Sequence, residues 1–161
     1  MLTAASVLAG FYAGARVKLK CETLGQCTAL VAFLASSISH SDESLPVIVH
    51  RACKSGNFNR LKFLEKINES DLSAGFDSVW VESVDKTACC LDAQTKAMLK
   101  SLGMRLGKTD SKTQVELCEF YKDRFEFNEA QLQTKCAEQA KLCRVTGAAV
   151  GAFLFVFLSG G

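Results

Sequence analysis

The sequence predicts an all-α protein: a compact bundle of about six helices flanked by two terminal membrane-spanning helices. Three observations predict it. Apolar residues recur at steps of three and four along nearly the whole chain, the period of a helix face. A single proline and few Asn-Gly or Asp-Gly pairs leave little material for β-hairpins. Charge is segregated: the 19 basic and 17 acidic side chains all lie between Arg16 and Arg144, while MLTAASVLAGFYAGA at one end and VTGAAVGAFLFVFLSGG at the other have none.

The uncharged ends are read as spans at 1–19 and 142–161, with a helical bundle at 20–141 between them. A bilayer core about 30 Å thick takes about 20 helical residues. Each run reaches that length once its basic neighbours snorkel: Arg16 and Lys18 at the first, Arg144 at the second. The C-terminal run holds Val145, Val150, Phe153, Leu154, Phe155, Val156, Phe157 and Leu158, a gain on insertion of roughly 2.5–5 kcal/mol. The N-terminal run has Leu2, Val7, Leu8 and Phe11, roughly 1–2.5 kcal/mol. A signal peptide fits the first run poorly, because its basic residues follow the apolar segment instead of preceding it. Arg16, Lys18 and Lys20 flank one span, and Lys135, Lys141 and Arg144 the other. The excess of basic residues on the cytoplasmic side places the bundle in the cytoplasm and both termini outside. Each span carries two glycines four apart, Gly10 with Gly14 and Gly147 with Gly151, a spacing that lets helix backbones approach closely in lipid. The two pairs fall at the same depth and are expected to pack on each other or on a partner's span.

Within the bundle, the first helix runs on from its span with Leu24, Cys27, Leu30, Val31, Leu34 and Ile38 on one face. Ser44 precedes Leu45-Pro46, with the proline at an early helical position where no N–H partner is needed. This short helix ends at Ser55-Gly56. A third helix holds Leu61, Leu64 and Ile67, and a fourth carries the stripe Phe76, Trp80, Val84, Ala88 and Leu91. Met98, Leu99, Leu102 and Leu106 mark a fifth. The sixth runs from about Ser111 into the C-terminal span, with Cys118, Tyr121, Phe125, Leu132, Cys136 and Cys143 on one face and a charged surface elsewhere.

Several function classes lose support on composition alone. A net charge of +2 is too small to imply nucleic acid. Two histidines, His40 and His50, leave little material for acid–base or metal chemistry. The eight cysteines include no C-x-x-C pair, so the zinc spacing is absent, and they read as buried thiols of a reducing compartment. The stretch GMRLGKT (103–109) resembles a phosphate-binding loop but places three residues between its glycines where four are required. It reads instead as a helix ending near Gly107 and a new helix beginning at Ser111. Ser111 and Gln114 are placed to form a capping box, with Asp110 ahead of the positive helix end. No catalytic, cofactor or metal site is expected. An enzyme would have to rest on Cys89 or Cys90 with a histidine, or on Lys108-Thr109, and neither set is a complete motif.

ISHSDESLP (38–46), SLGMRLGKTDSKTQ (101–114), a long charged helix, the basic flank KLCR and a glycine-containing span together resemble the stage III sporulation protein AB family over nearly the whole chain. That family's soluble part is similar to the cytoplasmic helical domains of F-type platform proteins of type II secretion. The resemblance implies a non-enzymatic membrane subunit in the mother-cell membrane around the forespore. It implies a channel-like, secretion-like complex with other membrane subunits, and a bundle that docks a cytosolic secretion-type ATPase like stage III sporulation protein AA. The alternative is a soluble all-helical interaction module without a membrane role.

Overall fold

A computed structural model describes residues 2–70, 75–88 and 90–159, with side-chain surroundings described for 16–70, 75–88 and 90–135. Among these residues the chain is helical throughout: α1 (Leu2–His40), α2 (Leu45–Lys54), α3 (Lys62–Glu69), α4 (Phe76–Thr87), α5 (Ala93–Arg105) and α6 (Ser111–Ser159). Both long helices are continuous from the bundle into the uncharged terminal runs, as the unbroken periodicity predicts. The surroundings of Gly10, Gly14, Gly147 and Gly151 lie outside the described residues.

α1 and α6 pack side by side as the spine of the bundle, and α2 to α5 pack each on the next, with α2 against α1 and α5 against α6. α1 buries Leu24, Cys27, Leu30, Val31 and Leu34, and α6 answers with Cys118, Tyr121 and Phe125. Among residues 16–70, 75–88 and 90–135, one stretch, Arg16–His40, is by length and composition apolar enough to cross a membrane; most of the expected 1–19 span and all of 142–161 lie outside that set. That stretch overlaps the expected 1–19 span only at its start, and its apolar face forms the core of the bundle.

The short helices are set by their ends. Ser44 is the N-cap of α2 through its backbone: its carbonyl accepts from Val47 N and Ile48 N at 3.0 and 3.1 Å, while its hydroxyl makes no cap bond. Pro46 sits in the first turn. Gly56 takes a left-handed φ of 72° just past the end of α2. In α3, Phe63 is buried beside the expected Leu64 and Ile67. The stripe assigned to one helix through Leu91 is cut short. α4 stops at Thr87, whose hydroxyl donates back to Ser83 O at 2.7 Å, and Leu91 is buried from the following turn. The next helix begins after Asp92, which caps α5 by accepting from Thr95 N at 2.8 Å.

The capping expected of Ser111 belongs to Asp110. Its carboxylate accepts from Thr113 N at 3.1 Å and from Thr113 Oγ1 at 2.7 Å, and its carbonyl accepts from Gln114 N. Ser111 is therefore the first helical residue and Gln114 falls one place too far along for the box. A carboxylate suits the positive helix end better than a neutral hydroxyl, so the cap moves back by one. The Thr113 bonds hold the Asp110 carboxyl below the usual carboxylate range.

Candidate docking surface at the α5–α6 corner

The GMRLGKT stretch sits at the corner where α5 hands over to α6, and its residues are used structurally. Gly103 lies inside α5 against the indole of Trp80, leaving no room for a Cβ. Gly107 turns the chain with φ 79°. Its N–H donates to Gln114 Oε1 at 3.0 Å, and Gln114 Nε2 donates to Thr109 O at 2.7 Å. The backbone groups that would cradle a phosphate are thus partly occupied by one glutamine side chain. Lys108 donates to Asp77 at 2.9 Å and holds that carboxyl below its ordinary range.

Two grooves flank this corner and share Lys108. The first, about 550 Å³, is walled by Asp42, Glu43, Asp77, Pro46 and Gln114. Two of its three carboxylates are matched locally: Arg51 reaches Glu43 at 2.9 Å and Lys108 reaches Asp77. The second, about 480 Å³, lies between the end of α5 and the start of α6, and is lined by Met104, Arg105, Leu117, Phe120 and Glu116. It has an apolar floor open to solvent. Met104 is 52% exposed, Phe120 49% and, one heptad further along α6, Phe127 63%. Arg124 stacks over Phe120 at 5.0 Å from the ring centroid, and the Phe120 ring meets Tyr121 edge-on at 5.4 Å. Solvent-exposed rings in line on one helix face, rimmed by arginine, have the composition of a protein interface. The groove is far from the terminal runs: Phe120 to Arg144 along α6 is roughly 35 Å.

The sequence residues offered for chemistry are scattered. His40 Nδ1 lies 2.8 Å from Ser36 O, and His50 is hydrogen-bonded to Asn68. Cys90 is half-buried, and Cys89 lies outside the described residues. No cluster of three or more metal-ligating side chains occurs among the described residues. Of the thiols expected on the core face, Cys118 is buried and Cys21 half-buried, and the side chains of Cys136 and Cys143 lie outside the described set.

Burial, with the nearby Glu119 carboxylate, pushes the Cys118 thiol up to about 12 from an ordinary 9.0. Burial, then Cys90, raises Cys27 as well. The folded state holds the Cys118 proton more tightly than the unfolded chain. Its contribution to stability is whole below about pH 9 and is lost as pH rises toward 12. Thiolate is the reactive form. Iodoacetamide at pH 8 therefore modifies Cys53 and Cys90 before Cys27 and Cys118, as site-resolved peptide mass spectrometry will show. Equal rates at Cys53 and Cys118 contradict the burial.

A family model described as Stage III sporulation protein AB (spore_III_AB) matches residues 1–159. No curated protein and no solved structure matches the chain.

Proposed function

This chain belongs to the stage III sporulation protein AB family, and on that premise we propose that it is a non-enzymatic membrane subunit of a secretion-like sporulation complex. In this reading its cytosolic bundle docks a secretion-type ATPase through the groove between α5 and α6. A role in sporulation follows from the family. The secretion-like complex and its ATPase are what the family resemblance implies, and the uncharged ends of the chain support the membrane part.

The observation that carries the reading is the continuity of α6. One helix, Ser111–Ser159, begins at the groove, passes through the core at Cys118, Tyr121 and Phe125, and continues into the uncharged C-terminal run. A partner that engages Met104 and Phe120 thereby pushes on a rigid rod whose far end prefers lipid. α1 runs alongside as the second rod. A cycling ATPase supplies displacement at the groove, and the paired helices carry it to the membrane. The bundle needs no nucleotide of its own for this, and Lys108, which a nucleotide loop would aim at phosphate, is aimed at Asp77.

The apolar side chains of Arg16–His40 are spent on the core, so the span proposed at the N-terminus is 1–19, with the partner span at 142–161. Both termini then lie outside the cytoplasm, in the mother-cell membrane that surrounds the forespore.

The test is co-purification of the detergent-solubilised full chain from sporulating cells. Recovery of a secretion-type ATPase, with extraction only by detergent, supports the reading. A chain that leaves the membrane fraction in buffer alone, as a monomer without ATPase, overturns it in favour of a soluble helical interaction module.

A further inference from the structure

Basic side chains crowd the end of the bundle from which both long helices leave it. On α1, Arg16, Lys18 and Lys20 are exposed, and Leu19 among them is 39% exposed. On α6, Lys135 is exposed. The two helices run antiparallel: Ile38 and Gln114 line one groove, while further along Gly25 faces Glu129, where an added Cβ would lie 3.3 Å from Oε1. Lys135 is six residues beyond Glu129, roughly 9 Å along the axis, and so stands level with Leu19. Four basic side chains from two helices therefore form one collar.

The acids near this collar are already engaged or few. Glu22 is held between Lys18, at 3.9 Å, and Arg60. Glu129 lies against Gly25 and accepts from Gln133. Residues 16–20 and 135–144 together hold six basic side chains (with Lys141 and Arg144) and one acid, Glu138, whereas the whole chain carries only +2. The rest of the molecule is consequently net negative. The bundle is electrically polarised, with its positive pole where the uncharged runs begin.

We infer that this collar binds the phosphate headgroups of anionic lipids. The inference rests on the membrane reading above and adds a lipid class to it. Four or more Lys/Arg beside a span are the sequence pattern of anionic-lipid recognition. The exposed Leu19 among the lysines suits the boundary between headgroups and acyl chains. The negative remainder of the bundle is repelled by the same surface, so the collar sets which end faces the bilayer and holds the α5–α6 groove away from it.

The test uses the full chain reconstituted into phosphatidylcholine vesicles containing phosphatidylglycerol. Spin-labelled analogues of each lipid report the motionally restricted fraction at the protein surface. The expected result is a preference of about fivefold for phosphatidylglycerol. It collapses in about 1 M salt, where the screening length falls to about 3 Å, and in the variant Arg16→Gln/Lys18→Gln/Lys20→Gln/Lys135→Gln. The salt arm needs no variant and so stands even if the quadruple change disturbs folding. Restricted lipid with no headgroup preference overturns the collar and leaves the membrane reading intact. Absence of any restricted lipid, with the chain recovered in the aqueous fraction, overturns both.

Discussion

Replacing Gly103 by alanine destabilises the bundle by about 3 kcal/mol, the upper end of ordinary overpacking, although alanine is the better helix former by about 1 kcal/mol. The clash decides the sign. An alanine Cβ at this position overlaps the Trp80 indole at Cδ1, Cγ and Nε1. Trp80 has nowhere to retreat. It is fully buried, with the Phe63 ring 5.2 Å away on an edge contact and the Phe76 ring at 5.6 Å. Its Nε1–H donates to Leu99 O at 2.8 Å, one turn before Gly103 on the same helix. Moving the indole aside strands a buried N–H, which itself costs about 1–3 kcal/mol. Gly25→Ala is the control. It too lies mid-helix, but its added Cβ meets only the end of the flexible Glu129 side chain at 3.3 Å. There the helix-propensity gain dominates, and stability is unchanged or raised. Thermal unfolding of the full chain in detergent, followed by the fluorescence of its single tryptophan, separates the two. Equal melting temperatures for Gly103→Ala and the parent chain remove Gly103 from the packing account.

The contrast between those two glycines shows where the sequence is readable and where it is not. Periodic apolar residues announce helix faces because burial and the 3.6-residue turn are local facts. Leu24 to Ile38, and Cys118, Tyr121 and Phe125, lie where that period places them. A glycine's role depends on what another element brings to it, and nothing near position 103 in the sequence names Trp80 as its neighbour. Helix ends are intermediate. Asp110 and Ser111 are both competent caps, and only the bonds to Thr113 choose the carboxylate. Ala88 and Leu91 keep the helical period of α4 beyond its end, because Ala88 N still donates to Val84 O at the C-cap and Leu91 N donates to Ala88 O in the turn that follows. The docking surface escaped for a related reason. Phe120 and Phe127 stand seven apart, so they share a face, but the core stripe through Tyr121 and Phe125 lies on the adjoining side of the same helix. Plotting all four rings around the helix axis separates two faces, and the second one is left exposed at Phe120 and Phe127.

That exposed face makes the larger functional prediction. If the groove docks the proposed ATPase, truncating Met104 and Phe120 together to alanine lowers that affinity by about 30-fold or more, since aromatic anchors that carry an interface contribute about 2 kcal/mol or more. The bundle itself tolerates the change. Both side chains are about half exposed before any partner binds, and substitutions at such positions usually alter stability by no more than about 0.5 kcal/mol. Folding and docking are therefore separable at this site, unlike at Trp80, where any truncation confounds the two. Arg105→Glu supplies an independent arm. It places a negative charge at the rim beside Glu116, and its effect falls mainly on the association rate and weakens in high salt. Affinity measured on detergent-solubilised full chain, with unfolding of each variant recorded in parallel, reads both effects. A Met104→Ala/Phe120→Ala chain that folds normally and binds the ATPase as tightly as the parent excludes this groove as the contact, whatever partner the co-purification recovers. Loss of binding in the folded double variant, with Gly25→Ala unaffected, supports docking at the start of α6, as the proposed function requires.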